Sequence, residues 1–264
     1  MKSKILITGG AGFLGSELTK LLLDQSYEIT VYDNLLYDKT SLLGCCKYPK
    51  FSFIEGDVRN ISELQSAMEK IDIIIPLAAL VGAPLCDKNY EEAKQVNWIA
   101  NKYIAENKSK NQIIIYPCTN SGYGINSSEV CTEETPINPI SWYGKTKVLA
   151  EQIYQQTENC ITMRLATVFG VSARMRTDLL INNLVWRATK DKVLVMYQSE
   201  FMRNYIHIQD ICRAFLFIIQ NWDMCKNETF NVGNDSLNMS KMQLAEKIKE
   251  HLPKTEIIHD CRFF

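Results

Sequence analysis

The sequence predicts an α/β fold of the Rossmann type: a doubly wound parallel sheet followed by a smaller C-terminal lobe. Three observations predict it. Apolar, β-branched runs alternate with amphipathic segments up to Gly170, a glycine-rich turn follows the first run, and the alternation loosens after Gly170. In order, the runs 4-KILIT-8, 28-EITVYD-33, 51-FSFIEG-56, 71-IDIIIP-76 and 112-QIIIYP-117 read as strands, because a strand covered by helices on both faces is apolar throughout. Helices are expected between them, starting near Phe13, Ile61 and Tyr90. The segments 142-WYGKTKVLAEQIYQQ-156 and 160-CITMRLATVF-169 add a helix and a sixth strand. Beyond Gly170 we expect a helix at 178–190, a strand near 192–197 and a helix from about Gln209 to Trp222. Residues 1–170 thus form one expected domain, with 205–235 packing back on it, and 171–264 form a second lobe. No linker rich in Pro, Gly or Ser separates the two, so a ligand cleft is expected between closely packed lobes.

Composition excludes several classes of partner. The 264 residues are 46% hydrophobic with a formal charge of −1, and lysine-rich stretches such as 102-KYIAENKSK-110 are interleaved with acids or polar residues, so no nucleic-acid-binding face is expected. The N-terminal MKSKILITGG is too brief for a secretory signal. The longest uncharged run, Ile73 to Cys86, is broken by Pro76, Gly82 and Pro84 and falls short of the roughly 20 residues that span a bilayer. A soluble, cytoplasmic protein is expected. Nine cysteines without CxxC spacing and three histidines give no metal-ligand pattern, and adjacent Cys45 and Cys46 cannot form an unstrained bridge. Free thiols and no metal are expected.

The turn 8-TGGAGFLG-15 fits two registers, G-x-G-x-x-G through Gly10, Gly12 and Gly15, or G-x-x-G-x-x-G through Gly9, Gly12 and Gly15. Either lets the backbone approach a pyrophosphate resting on the N-terminus of the helix that starts near Phe13. A plain tight turn is the alternative. The second strand ends in Asp33, placed to accept the ribose hydroxyls of NAD. A carboxylate there repels a 2′-phosphate and 34-NLLYDK-39 offers no arginine, which favours NAD over NADP.

Tyr-x-x-x-Lys occurs twice, as 90-YEEAK-94 and 143-YGKTK-147. On a helix both pairs share a face, so the ammonium can favour the phenolate of the tyrosine. Only the second copy follows a strand-end loop with a hydroxyl residue, Thr119 in 115-IYPCTNSGYG-124, at the sheet edge where NAD should lie. Thr119, Tyr143 and Lys147 are the candidate catalytic residues.

The set 8-TGGAGFLG-15, Asp33, 56-GDVRN-60, 77-LAA-79, Thr119 and 141-SWYGKTK-147, with 164-RLATVFG-170, 203-RNYIHIQD-210 and 230-FNVG-233, resembles the extended short-chain dehydrogenases/reductases that act on nucleotide sugars. The resemblance runs from residue 1 to about 260. It implies NAD contacts from Gly9, Gly12, Phe13, Leu14, Gly15, Asp33, Asn34, Asp57, Val58, Leu77, Ala78, Ala79, Asn97, Tyr143 and Lys147, with Asp57 and Val58 by the adenine. It implies substrate contacts from Val81, Asn120, Ser121, Thr167, Arg176, Asn182, Asn183 and Arg203, the last clamping the diphosphate. The implied chemistry has Tyr143 taking a proton from a sugar hydroxyl oriented by Thr119 while hydride passes to the nicotinamide. The family's dehydratases carry Asp and Glu directly after the threonine; here Asn120 and Ser121 stand there, so dehydration is not expected. The strings 79-ALVGAPLCDK-88 and 167-TVFGVSARMRTDLL-180 are similar to a subgroup that includes the GDP-heptose 4-dehydrogenase of bacterial capsule synthesis. Oxidation at C4 of a GDP-sugar is the expectation, epimerisation the alternative. Relatives continue beyond 255-TEIIHDCRFF-264 with another phosphate-binding arginine and a closing helix, for which Arg262 is a poor substitute, so the substrate lobe is expected to be incomplete. That leaves an NAD-binding scaffold as a rival from another class. A homodimer is expected through the helices near 90–107 and 142–156, whose Trp98, Tyr103, Val148, Leu149 and Ile153 could equally be intrachain core.

Overall fold

The structure, a computed structural model, describes residues 2–37, 39–125 and 130–259. The chain runs β1 (Lys4–Thr8), α1 (Phe13–Asp24), β2 (Glu28–Asp33), β3 (Phe51–Glu55), α2 (Ile61–Met68), β4 (Ile73–Pro76), α3 (Ala83–Lys88) and α4 (Tyr90–Lys94). A π turn at Gln95–Ile99 joins α4 without a break to α5 (Ala100–Asn107). Next come β5 (Ile113–Thr119), a 3-10 turn (Asn120–Tyr123), α6 (Trp142–Gln155), β6 (Cys160–Leu165), β7 (Thr167–Phe169), α7 (Leu180–Lys190) and β8 (Val193–Met196). The rest is β9 (Met202–His207), α8 (Ile208–Gln220), α9 (Trp222–Cys225), β10 (Thr229–Val232), β11 (Asn238–Ser240), α10 (Lys241–His251) and β12 (Glu256–His259).

Seven strands form one sheet in the order β10-β6-β5-β4-β1-β2-β3, every pairing parallel. This is the Rossmann-type α/β fold. Successive side chains of a strand face opposite layers, so β1 sends Ile5 and Ile7 to a core shared with Leu18, Leu22 and Phe215 of α1 and α8, and Leu6 to one shared with Leu64, Ile104, Val148 and Tyr154. The strand order reverses between β1 and β4, the point at which doubly wound sheets bind ligands at their carboxyl edge.

Two strands depart from the sequence-based expectation. The apolar run 160–169 is not one strand: β6 stays in the sheet, and at Ala166, whose N–H donates to the Val232 carbonyl at 2.9 Å, the chain crosses over so that β7 pairs with β9. The sheet gains a seventh strand instead from β10, which pairs Thr229–Val232 with Thr162–Leu165. Segment 205–235 thereby supplies both a helix and a strand to the sheet. The second lobe has its own core of Leu184, Leu194, Tyr205, Met239 and Ile248, under β11-β9-β7 and the β12-β8 pair. Among the described residues no helix is long and apolar enough to cross a membrane. Arg262 lies outside the described residues.

Candidate active site

The glycine turn between β1 and α1 is held where side chains would not fit. Gly9 has φ 72°, and a Cβ on it would sit 2.5 Å from the Ala78 nitrogen; a Cβ on Gly15 would sit 2.4 Å from the Gly9 carbonyl oxygen. The turn is therefore pressed against β4 on one side and against the helix start on the other. On its open side, α1 begins with Gly12 as N-cap, without a side-chain cap and without an acidic residue in its first turn. The unclaimed N–H groups of that first turn and the positive end of the helix dipole fit the pyrophosphate of a dinucleotide.

Asp33 closes the neighbouring corner. Its carboxylate accepts from the Ala11 N–H at 2.9 Å and the Leu35 N–H at 2.8 Å. Burial pushes its pKa up, and these two backbone donors pull it back. Asn34 donates to Asp57 at 3.1 Å, and Asp57 takes the Arg59 guanidinium at 2.9 and 2.7 Å, which holds the carboxyl down to about 2. That carboxylate is committed to Arg59 and Asn34, and Val58 beside it is buried. Leu77 is tied to Thr8 by a backbone bond of 2.9 Å, while Leu77, Ala78 and Ala79 line the end of β4 half-buried. Asn97, fully buried in the π turn, braces the loop that follows: it accepts from the Leu80 N–H at 2.8 Å and donates to the Leu80 carbonyl at 2.9 Å. Its amide is thus committed to holding that loop.

Thr119 ends β5 and is nearly buried; its hydroxyl accepts from the Ser121 N–H at 3.2 Å. Ser141 caps α6 by accepting from the Gly144 N–H at 3.1 Å, which fixes the helix start at Trp142. Tyr143 and Lys147 then share a helix face one turn apart. Burial pushes the Tyr143 phenol up, neighbouring Cys118 and Cys86 add to this, and the Thr119 hydroxyl and the Arg176 charge act in the opposite direction. Thr119 and Tyr143 are therefore brought together from two distant segments, within reach of the Arg176 charge. Lys147 is 4% exposed, with its ammonium 4.1 Å over the Tyr116 ring; burial pulls its pKa down to about 8.

Behind these residues lies a network that the sequence does not reveal. Glu151, one turn beyond Lys147, pairs with Arg164 of β6 at 3.0 Å with both side chains buried. Arg164 also donates to the Tyr123 hydroxyl at 2.9 Å, which donates to Asn231 of β10 at 2.6 Å. The network ties α6, the turn after Thr119 and the strand that closes the sheet into one unit.

The residues expected to touch substrate divide in two. Val81, Ser121 and Arg203 are exposed, Asn120 and Thr167 half-buried, and Arg203 has no ion pair among the described residues. Arg176 is held by Asp178, its Nε 3.0 Å from the carboxylate. Asn182 accepts from the Gly170 N–H at 3.0 Å and donates to the Arg176 carbonyl at 2.9 Å. Asn183 donates to the Thr177 carbonyl at 3.0 Å and accepts from Arg187 at 3.1 Å. These two amides brace loop 170–179 against α7, a role that an asparagine pair on a helix does not announce in sequence.

A glycine turn at the strand-order reversal, a carboxylate at the end of β2 and a Thr-Tyr-Lys set at the end of β5 together suit a dinucleotide-dependent oxidoreductase. The chain belongs to the NAD dependent epimerase/dehydratase family, whose profile matches residues 5–233. It is an enzyme of that family and its cofactor is NAD. It is 26% identical over 261 residues to the low-salt glycan biosynthesis protein Agl12 of Haloferax volcanii, covering 96% of this chain and 83% of that protein. It is 24% identical over 276 residues to a UDP-glucose 4-epimerase of Lactobacillus helveticus, covering 94% and 81%. Among solved structures it superposes with a TM-score of 0.85 and 25% identity on a dTDP-glucose 4,6-dehydratase of Bacillus anthracis in complex with NAD, covering 98% of this chain and 84% of that one.

Proposed function

We propose that the protein oxidises C4 of a nucleotide-activated sugar, with Tyr143 as the base, Lys147 as its electrostatic partner and Thr119 as the group that orients the reacting hydroxyl. The observation that carries this reading is the meeting of Thr119 and Tyr143 at the carboxyl end of β5, with Lys147 buried one helical turn behind. Bound NAD supplies the hydride acceptor. A phenol desolvated as Tyr143 is needs positive charge nearby to lose its proton; the Arg176 charge acts in that direction, and Lys147, buried over the Tyr116 ring one helical turn on, is the cation on the same helix face. Asn120 and Ser121 lack the carboxyl acid and base that water loss requires, which speaks against dehydration although a relative carries that name. Arg203, exposed and unpaired among the described residues, suits a diphosphate.

Within this reading the resemblance of 79–88 and 167–180 favours a GDP-heptose and release of the ketone, as in surface polysaccharide synthesis. The relative named a UDP-glucose 4-epimerase favours the second reading, re-reduction from the other face of the sugar. The half-buried Trp98 of the π turn and Leu149 of α6 suit a homodimer contact, whereas Val148 belongs to the chain's own core. The test is incubation with NAD and GDP-, UDP-, CDP- and dTDP-sugars, following reduced-cofactor absorbance and product mass. A ketone supports the dehydrogenase and an isomer of unchanged mass the epimerase, while loss of water overturns the reasoning from Asn120 and Ser121. Tyr143→Phe should abolish turnover and spare NAD binding; retained turnover removes Tyr143 as the base.

A further inference from the structure

Loop 171–178, which the family chemistry does not call upon as a whole, is fastened to the cofactor helix. The Ser172 hydroxyl donates to the Phe13 carbonyl at 2.7 Å and lies 3.0 Å from the Ser16 hydroxyl, both groups of α1's first turns. The Ala173 N–H donates to Glu17 at 3.0 Å, and Gln209 of α8 holds the other oxygen of that carboxylate at 2.9 Å. These bonds carry the next residue, Arg174, to the N-terminal end of α1, and its backbone N–H is turned onto Ser172 at 3.2 Å. Its guanidinium lies 4.5 Å over the ring of Tyr37, from the loop that follows Asp33. That loop is fastened in turn to the glycine turn, because the Ser41 hydroxyl donates to the Ala11 carbonyl at 2.9 Å. Arg174 and Tyr37 therefore bridge the two loops that flank the pyrophosphate cradle.

The charges around the cradle give this bridge a purpose. A dinucleotide pyrophosphate carries two negative charges, and the first turn of α1 offers only backbone donors. Arg174 forms no ion pair among the described residues: the nearby Asp178 carboxylate feels its charge but is bridged to Arg176, and the guanidinium itself rests on the face of Tyr37. A guanidinium parked on an aromatic ring keeps its N–H edge available for phosphate oxygens.

We propose that Arg174, held on Tyr37, is a ligand of the cofactor's pyrophosphate and that the pair forms a clasp which slows release of NAD. Net oxidation with release of the ketone leaves reduced cofactor that must exchange past this pair in every cycle, whereas re-reduction of the ketone regenerates NAD in place. This rests on the assignment of the cradle to NAD and is independent of the sugar.

The test measures NAD release without any sugar present: protein loaded with NAD is mixed with excess 1,N6-etheno-NAD and the exchange is followed by fluorescence. Arg174→Gln should speed release on the order of tenfold to a hundredfold, the range of a charge-assisted hydrogen bond. Tyr37→Ala should speed it less, and Tyr37→Phe, which keeps the ring, should match the wild type. Added salt should narrow the gap between wild type and Arg174→Gln. Release at the wild-type rate from Arg174→Gln overturns the proposal, as does equal release from Tyr37→Phe and Tyr37→Ala. Because no sugar enters the assay, failure to find a nucleotide-sugar substrate leaves its outcome unaffected.

Discussion

Lys147→Met should make the protein more stable while abolishing its activity. Lys147 is 4% exposed, and burial lowers its pKa from 10.5 to about 8. The folded value lies below the unfolded one, so the unfolded chain binds more protons between about pH 8 and 10.5 and stability rises with pH across that window. Below pH 8 the whole penalty of burying the ammonium is present, on the order of 3 kcal/mol at about 1.4 kcal/mol per tenfold change. Against it stands the contact with the Tyr116 ring, worth roughly 0.5–2 kcal/mol. Methionine is unbranched and fits the same channel without a charge, so a net gain of about 1–3 kcal/mol remains at pH 7, a rise in Tm of roughly 2–10 °C for a chain of this size. Calorimetry of the cofactor-free proteins at pH 7 and pH 10 tests this, and the gap should narrow at the higher pH. A lower Tm for Lys147→Met at pH 7 would refute the account of Lys147 as an unfavourably buried cation kept for chemistry.

Other substitutions probe the surrounding frame. Glu151→Gln leaves the Arg164 guanidinium buried without its anion and should cost about 3–5 kcal/mol in urea denaturation; adding Arg164→Met should recover much of it. Gly9→Ala forces a Cβ onto the Ala78 backbone at 2.5 Å, and calorimetric titration should show NAD affinity falling by an order of magnitude or more. Asp33→Asn should weaken NAD about tenfold through loss of a charged acceptor and reduce the preference for NAD over NADP in parallel fluorescence titrations. Thr119→Ser should retain most of the turnover that Thr119→Ala loses, since only the hydroxyl is needed.

The parts of the site visible in the sequence are those whose requirement is local. Gly9 needs φ 72° and no Cβ, Asp33 needs only to end a strand, and Tyr143 and Lys147 need four-residue spacing on a helix. The fold class followed for the same reason, since a parallel strand buried on both faces carries its apolar run within itself. What stayed hidden depends on where distant segments meet. The apolar run through Leu165, Ala166 and Thr167 does not say that it serves two sheets, because both need the same kind of residue. Asn182 and Asn183 are implied as substrate contacts only by the resemblance; that they also hold Gly170, Arg176 and Thr177 is visible only in the fold. Arg164 and Tyr123, like Arg174 and Tyr37, are ordinary residues until the chain brings each pair together.

The crossing at Ala166 has a consequence for how the protein is made. The strand that covers the outer edge of β6, Thr229–Val232, leaves the ribosome only after the whole excursion into the second lobe has been translated. At about 5–20 residues per second the backbone of β6 stays unpaired on that side for roughly 3–13 s. During that interval the nascent chain presents Cys160–Leu165, a largely apolar strand with a free edge, to every neighbouring polypeptide. Chains stalled just before Thr229 should therefore aggregate or recruit chaperones more than chains stalled just after Val232, although the two differ by only one short strand.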